Sequence, residues 1–223
     1  EKMLTEGADI IDIGAFSSRP GSEIISVEEE NSRLLPYLIE IKKRFPDTII
    51  SIDTFRKDVA KNAIDNGADI INDISGGLFD NEMLSYIGEN QVPYIMMHCG
   101  GSIESLHTNA CEIVKEFFEK QINFLDNYGE QQIILDPGIG FNKSMKSNFE
   151  LLNNIEDYRV NNLPVLIGIS RKSMIYKTLK TTPQEALNGT TVLNTIALMK
   201  GADILRVHDV KEAVEAVKLV NEL

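Results

Sequence analysis

Short, nearly continuous apolar runs alternate along the chain with longer stretches whose apolar residues recur every three or four positions. The runs fall at 10–14, 49–53, 70–75, 94–98, 133–138, 165–170 and 204–210, each rich in Ile, Val and Leu. Continuous apolarity suits strands covered on both faces, as parallel strands joined by crossover helices are. The intervening stretches predict helices. Ser26-Val27-Glu28-Glu29 has the form of a capping box and opens a helix expected to reach Arg44, with Pro36 predicting a kink or break. Residues 56–66 place Val59, Ala60, Ala63 and Ile64 at helical spacing ahead of Gly67, and 113–127, 184–200 and 211–223 complete the set.

One phrase recurs. Gly7-Ala8-Asp9-Ile10, Gly67-Ala68-Asp69-Ile70 and Gly201-Ala202-Asp203-Ile204 each join the end of a helix to the start of a strand. The repetition argues for βα units folded alike, and no linker or composition shift divides residues 1–223 into separate domains.

Composition narrows the function. With 22 Lys+Arg against 34 Asp+Glu, the net charge of −12 is a poor match for nucleic acid or an anionic membrane, so neither is expected as a partner. Hydrophobic and charged fractions of 43% and 25% are those of a globular protein. No apolar window approaches a membrane span, and the first residues read neither as a secretory signal nor as a natural start. Cys99 and Cys111 form no zinc pattern or disulfide framework, and two buried thiols in a reducing cytoplasm are expected.

All seven predicted strands end in polar residues, and carboxyl ends of parallel strands are where sites are built. Arg206 and His208 lie two apart, so they point the same way and suit a phosphate or diphosphate; the competing reading pairs them with Asp203 or Asp209. Arg19, in Ser17-Ser18-Arg19-Pro20-Gly21, is a third anion candidate. Asp53 and Asp136 each close a strand, where acids act in proton transfer, accept from a flat heterocycle, or stabilise a developing cation. Asn72 adds a donor and an acceptor, and Lys172 can donate to a ring carbonyl or lie on a ring face. Asp73 must face away from Asn72 and reads as structural.

Together these residues resemble dihydropteroate synthases. The motifs are Asp12-Ile13-Gly14, Ser17-Ser18-Arg19-Pro20-Gly21, Ser51-Ile52-Asp53-Thr54, Ile71-Asn72-Asp73-Ile74-Ser75-Gly76-Gly77, Met97-His98, Leu135-Asp136-Pro137-Gly138-Ile139-Gly140-Phe141, Gly168-Ile169-Ser170-Arg171-Lys172-Ser173 and Leu205-Arg206-Val207-His208-Asp209-Val210. The resemblance implies a (β/α)8 TIM barrel that joins 6-hydroxymethyl-7,8-dihydropterin diphosphate to p-aminobenzoate. It implies that Asp53, Asn72, Asp136 and Lys172 hold the pterin, with Ile74 and Met97 packed near the ring. Arg206 and His208, with Ser18 and Arg19, would hold the diphosphate; Arg19, Phe141, Ser170 and Lys172 would form the p-aminobenzoate pocket, where sulfonamides compete. Asp53, Asp136 and Lys172 carry the catalytic roles, Mg2+ is the implied cofactor, and a cytoplasmic homodimer is the implied state.

The family's first strand, with its Asn that helps hold Mg2+, has no counterpart here. Seven of eight strands are therefore expected, in a single N-terminally incomplete barrel domain with no metal ligand of its own. The alternatives are a pterin-binding methyltransferase acting on a folate methyl group, which has no diphosphate to bind, and a non-catalytic pterin-binding barrel. Asp136→Asn or Lys172→Ala is expected to reduce pterin binding sharply by calorimetry. Unchanged affinity in both variants contradicts the pocket assignment.

Overall fold

The computed structural model describes residues 1–16, 25–99 and 109–223. Its strands are β1 (Ile10–Ile13), β2 (Ile49–Asp53), β3 (Ile70–Asp73), β4 (Tyr94–Met97), β5 (Ile133–Asp136), β6 (Leu166–Ile167) and β7 (Ile204–Leu205). Its helices are α1 (Lys2–Thr5), α2 (Val27–Arg44), α3 (Lys57–Asp65), α4 (Met83–Asn90), α5 (Ala110–Leu125), α6 (Met145–Asn153), α7 (Ile155–Tyr158), α8 (Ser173–Leu179), α9 (Leu187–Met199) and α10 (Val210–Val220). Two compact units share them. The first is Asp9–Met97 with Gln121–Ile133; the second is Glu1–Ala8, His98–Lys120 and Ile134–Leu223. No described helix is long and apolar enough to cross a membrane.

In the first unit β1, β2, β3 and β4 pair in sequence order, all parallel, with Ile10 opposite Ile49, Ser51 opposite Ile70 and Ile71 opposite Tyr94. The register sets Asp53 beside Asn72, so the polar ends of neighbouring strands arrive together. The N–H of Tyr94 donates to the carbonyl of Gln132, just ahead of β5. Ile50, Ile52, Ile71, Tyr94 and Met96 are fully or almost fully buried, as strands covered on both faces require. Helix α2 opens as expected: the Ser26 hydroxyl accepts from Glu29 N–H, and the helix runs to Arg44. Pro36 lies inside it without breaking it, so the expected break does not occur. Proline there removes one N–H, and the packed Leu34 and Leu38 hold the rest.

In the second unit the N–H of His98 donates to the Asp136 carbonyl, a bridge joins Leu135 to Val165, and β6 pairs with β7 in parallel. The strands expected over 165–170 and 204–210 shrink to two-residue ladders. After Arg206 N–H reaches the Ile167 carbonyl, the next strand-like donor, His208 N–H, goes to the Ser170 hydroxyl rather than to backbone. Asp209 then caps α10, which claims Val210.

The recurring Gly-Ala-Asp phrase has a physical cause. At each copy the glycine is left-handed, with φ of 100° at Gly7, 96° at Gly67 and 100° at Gly201. At each, the following alanine N–H reaches back five residues and the glycine N–H three: Ala8 to Met3, Ala68 to Ala63, Ala202 to Ala197. These are Schellman closures. The aspartate then fastens the neighbouring strand: Asp69 Oδ2 accepts from Ile50 N–H and Lys42, and Asp203 Oδ2 from Val165 N–H and Arg159.

Helices α4, α6 and α8 were not expected from the pattern. Gly88 lowers the propensity of α4, yet a Cβ there would come within 2.5 Å of the Tyr128 ring. In α6 the buried Ser147 and Asn148 interrupt the apolar stripe, and α8 has only seven residues.

A buried ion pair braces the first unit. Glu30 is fully buried; it accepts from Thr54 Oγ1 at 2.8 Å and from Arg56 Nη1 at 2.7 Å, while Arg56 Nη2 donates to the Ile25 carbonyl. Removing one partner strands a buried charge. Arg56→Met is expected to cost about 3–5 kcal/mol in urea unfolding. The Glu30→Met/Arg56→Met pair should recover most of that loss.

Candidate active site

In the first unit the ends of β1, β2 and β3 bring three polar side chains together. Asn72 Nδ2 donates to Asp12 Oδ2 at 3.2 Å, across the intervening β2, and Asp53 is the register partner of Asn72. Gly14 lets the backbone pass close to Asp53: a Cβ at Gly14 would stand 3.1 Å from the Asp53 Cβ. Ile74, just after β3, and Met97, the last residue of β4, are both buried, and Asn72 is 4% exposed. Asp12, which enters the sequence reading only as part of a motif, joins this cluster through Asn72. Asp73 is structural, as expected. Fully buried, it accepts from the N–H and hydroxyl of Ser75, Gly77 N–H and the Tyr94 hydroxyl. Burial pushes its carboxyl up, and those donors pull it back.

The second unit gathers more charge. Asp136, 7% exposed at the end of β5, accepts Gly138 N–H at 2.7 Å. Burial raises its carboxyl, while the cations Lys172, Arg206 and Lys143 draw it down again. Lys172 precedes α8; its ammonium donates to the Ile139 carbonyl and stands 4.5 Å from the Phe141 ring centre. Burial lowers it to about 8, Asp136 opposes that, and Arg206 adds to it. Left-handed glycines shape the loop it touches: a Cβ at Gly138 would meet the His98 carbonyl oxygen at 2.1 Å, and one at Gly140 would meet Lys172 Cδ at 2.9 Å.

Arg206 and His208 are exposed, and the His208 ring nitrogen Nδ1 sits 2.9 Å from the Ser170 hydroxyl. The acids named as competing partners hold other cations as well, and His208 is among the charges that lower the Asp209 carboxyl. Arg159 holds Asp203, and Arg171 holds Asp209 through two hydrogen bonds. Ser170, expected at an aromatic pocket, also positions His208. Ser18 and Arg19 lie outside the described residues. Cys99 and Cys111 are buried thiols rather than a disulfide, and burial pushes Cys111 up to about 11.

Lys143 was missed. Its ammonium donates to the carbonyls of His98 at 2.8 Å, Gly138 at 3.0 Å and Phe141 at 3.2 Å. The available signal was the run Gly138-Ile139-Gly140-Phe141-Asn142-Lys143, a glycine-shaped turn whose carbonyls need donors.

Comparison with known proteins gives one consistent answer. The sequence profile described as pterin binding enzyme matches residues 1–208. The dihydropteroate synthase of Clostridium beijerinckii is 42% identical over 99% of this chain and 82% of its own. The structure of the Clostridium difficile dihydropteroate synthase in the presence of pteroic acid superposes with a TM-score of 0.93 at 35% identity, covering 99% of this chain and 84% of that one. The Xanthomonas albilineans dihydropteroate synthase with 4-aminobenzoic acid gives 0.92 at 32% identity, covering 99% and 81%. The fold is thus the parallel α/β barrel expected from the sequence, with seven strands among the described residues.

The depressed lysine carries a pH signature. A lysine at about 8 when folded and near 10.5 when unfolded binds fewer protons in the folded state between those values. Stability then rises with pH across that window, as a charged-lysine penalty is relieved. Lys143 is also lowered to about 8, so it contributes in the same direction. Urea unfolding of the ligand-free protein should show stability rising from about pH 8 to 9, below the range where Cys111 acts in the opposite sense, with roughly half of the rise lost in Lys172→Met. An unchanged rise in Lys172→Met contradicts the burial of its charge.

Proposed function

The chain belongs to the family of pterin-binding enzymes, and from that premise we infer that it works as a dihydropteroate synthase. It is a transferase of folate biosynthesis that joins 6-hydroxymethyl-7,8-dihydropterin diphosphate to p-aminobenzoate, giving 7,8-dihydropteroate and diphosphate. The observation that carries this is kinship along 99% of the chain to enzymes of that activity, at 42% identity in one case.

The division of labour follows from side-chain chemistry. In the first unit Asp53 and Asn72 offer an acceptor and a donor to the pterin edge, and Ile74 and Met97 offer apolar surface to its ring. In the second unit Asp136 accepts from the pterin and Lys172 donates to it. Phe141, Ser170 and the Lys172 stem face p-aminobenzoate, where sulfonamides compete. Arg206 and His208 take the diphosphate with Ser18 and Arg19.

The reaction breaks the bond between the pterin methylene carbon and the diphosphate oxygen. Its electron pair leaves with the diphosphate. Asp53 and Asp136 stabilise the cation that develops on the pterin, each as a preorganised charge in place before the bond breaks. Arg206 and His208 offset the charge gathering on the leaving group. The neutral arylamine then forms the new carbon–nitrogen bond and loses one proton, so no strong base is needed.

Mg2+ belongs to this proposal only as a companion of the diphosphate. Among the described residues no three His, Cys, Asp or Glu side chains gather as a metal site. The donor set therefore does not form a protein cage for the ion, and no step is routed through it. The proposal also treats the whole chain as one pterin-binding domain in the cytoplasm, where Cys99 and Cys111 stay reduced. It includes a homodimer, supported by Val192, Ile196 and Met199 lying exposed at helical spacing on α9.

The test is product formation from the pterin diphosphate and p-aminobenzoate. Arg206→Ala should raise KM for the pterin diphosphate about tenfold or more while leaving KM for p-aminobenzoate nearly unchanged. Methyl transfer from a methylated folate without condensation overturns the reading in favour of a pterin-binding methyltransferase, whose substrates carry no diphosphate for Arg206 and His208. Pterin binding without either reaction points to a non-catalytic barrel.

A further inference from the structure

Lys143 lies seven residues beyond the end of β5, and the condensation as derived gives it no task. Its surroundings are specific. An ammonium has three protons, and all three are spent on backbone carbonyls: His98, after β4, and Gly138 and Phe141, on the loop after β5. With every proton committed, Lys143 has none left for a substrate. It is therefore unsuited to contact chemistry and suited to holding the loop.

That loop carries two features of the proposed site. Phe141 N–H closes it onto the Gly138 carbonyl. Between those ends, the Ile139 carbonyl accepts from Lys172, and the Phe141 ring lies beneath the same ammonium. Two lysines thus divide one turn: Lys143 takes the carbonyls of Gly138 and Phe141, and Lys172 takes that of Ile139. Asn142 adds a second tie to the His98–Cys99 segment, through the Cys99 carbonyl, and Gly140 N–H is fixed by Asn148. Where the turn stands decides where Lys172 and Phe141 stand. Lys143 also counts among the cations that draw down the Asp136 carboxyl.

We propose that Lys143 is a positioning residue for dihydropteroate synthesis: its ammonium locks the 138–141 turn to the His98 carbonyl and so aims Lys172 and Phe141 at the two substrates. This deepens the synthase reading and rests on it. Shortening the side chain leaves the three converging carbonyls without their donor, so a small amine bound among them can draw the turn back.

The experiment compares the wild type, Lys143→Met and Lys143→Ala by synthase kinetics, calorimetric pterin titration and thermal unfolding. Each is run in methylammonium chloride and in sodium chloride at equal ionic strength. In Lys143→Met, the pterin Kd and the KM for p-aminobenzoate are expected to rise roughly ten- to a hundredfold, since a misplaced binding group loses that much. Methylammonium should restore a substantial part of the loss in Lys143→Ala and little in Lys143→Met, whose side chain fills the space. Wild-type KM and Kd in folded Lys143→Met overturn the proposal. So does an amine that raises the thermal midpoint of Lys143→Ala without lowering its KM or Kd, because that marks a purely structural tie. Should the wild type bind pterin but make no dihydropteroate, the synthase reading fails alone, and the pterin Kd of the variants still decides the role of Lys143.

Discussion

A carboxylate taken out of water at the end of β5 sets the terms for everything around it in the second unit. Asp136 is almost completely buried, and burial by itself favours the protonated acid. Keeping it charged takes cations, and three are supplied: Lys172, Arg206 and Lys143. The same exclusion of water acts on the cations in the opposite sense, drawing Lys172 and Lys143 to about 8. A shift of that size represents a cost on the order of 3 kcal/mol for a lysine held charged at neutral pH. Under the proposed role of Asp136, that cost keeps a fixed negative charge ready for the cation that develops on the pterin. Preorganisation of this kind commonly trades stability for activity.

Such a charge is useful only if the strand end that carries it does not drift. The Gly-Ala-Asp joints supply that rigidity with a very short stretch of sequence. The glycine ends one helix with two reverse hydrogen bonds, and at two of the joints the aspartate accepts an N–H near the start of a neighbouring strand while holding a cation of its own. At Asp69 the cation is Lys42, and at Asp203 it is Arg159. These joints sit at the opening ends of the strands. The closing ends are thereby released from scaffold duty, and their polar residues can serve chemistry. This separation of stability from function by strand end is a general property of parallel α/β barrels.

The same separation explains what could be read from the residues in order. Aliphatic runs and Schellman glycines are local signals, so β1 to β5, α2 and α3 fell close to their observed bounds. Asp53, Asn72, Asp136, Lys172, Arg206 and His208 could be singled out as candidates because each lies at or just after a strand end. Lys143 was not, because its role depends on three carbonyls supplied by two different loops, and no spacing rule links it to His98. The short ladders of β6 and β7 were hidden for a related reason: the Ser170 side chain takes over where a backbone partner would continue the strand. Helix α6 was obscured because two of its buried positions are Ser147 and Asn148, and Asn148 is buried to hold Gly140 N–H rather than to fill a core.

Exposure then sorts the remaining roles in the second unit. Asp136 is sheltered, whereas Arg206 and His208 are open to water. Burying a diphosphate would forfeit a very large hydration free energy, more than an arginine and a histidine could return. An exposed binding position avoids that loss and lets the departing anion pass directly into solvent. A flat, weakly hydrated ring has no such constraint and gains from enclosure. The gradient from sheltered carboxylate to open guanidinium therefore matches the polarity of a substrate with an aromatic end and a diphosphate end. On the proposed assignment the carboxylate serves the developing cation while Arg206 and His208 serve the leaving group, so opposite charges are met by separate groups.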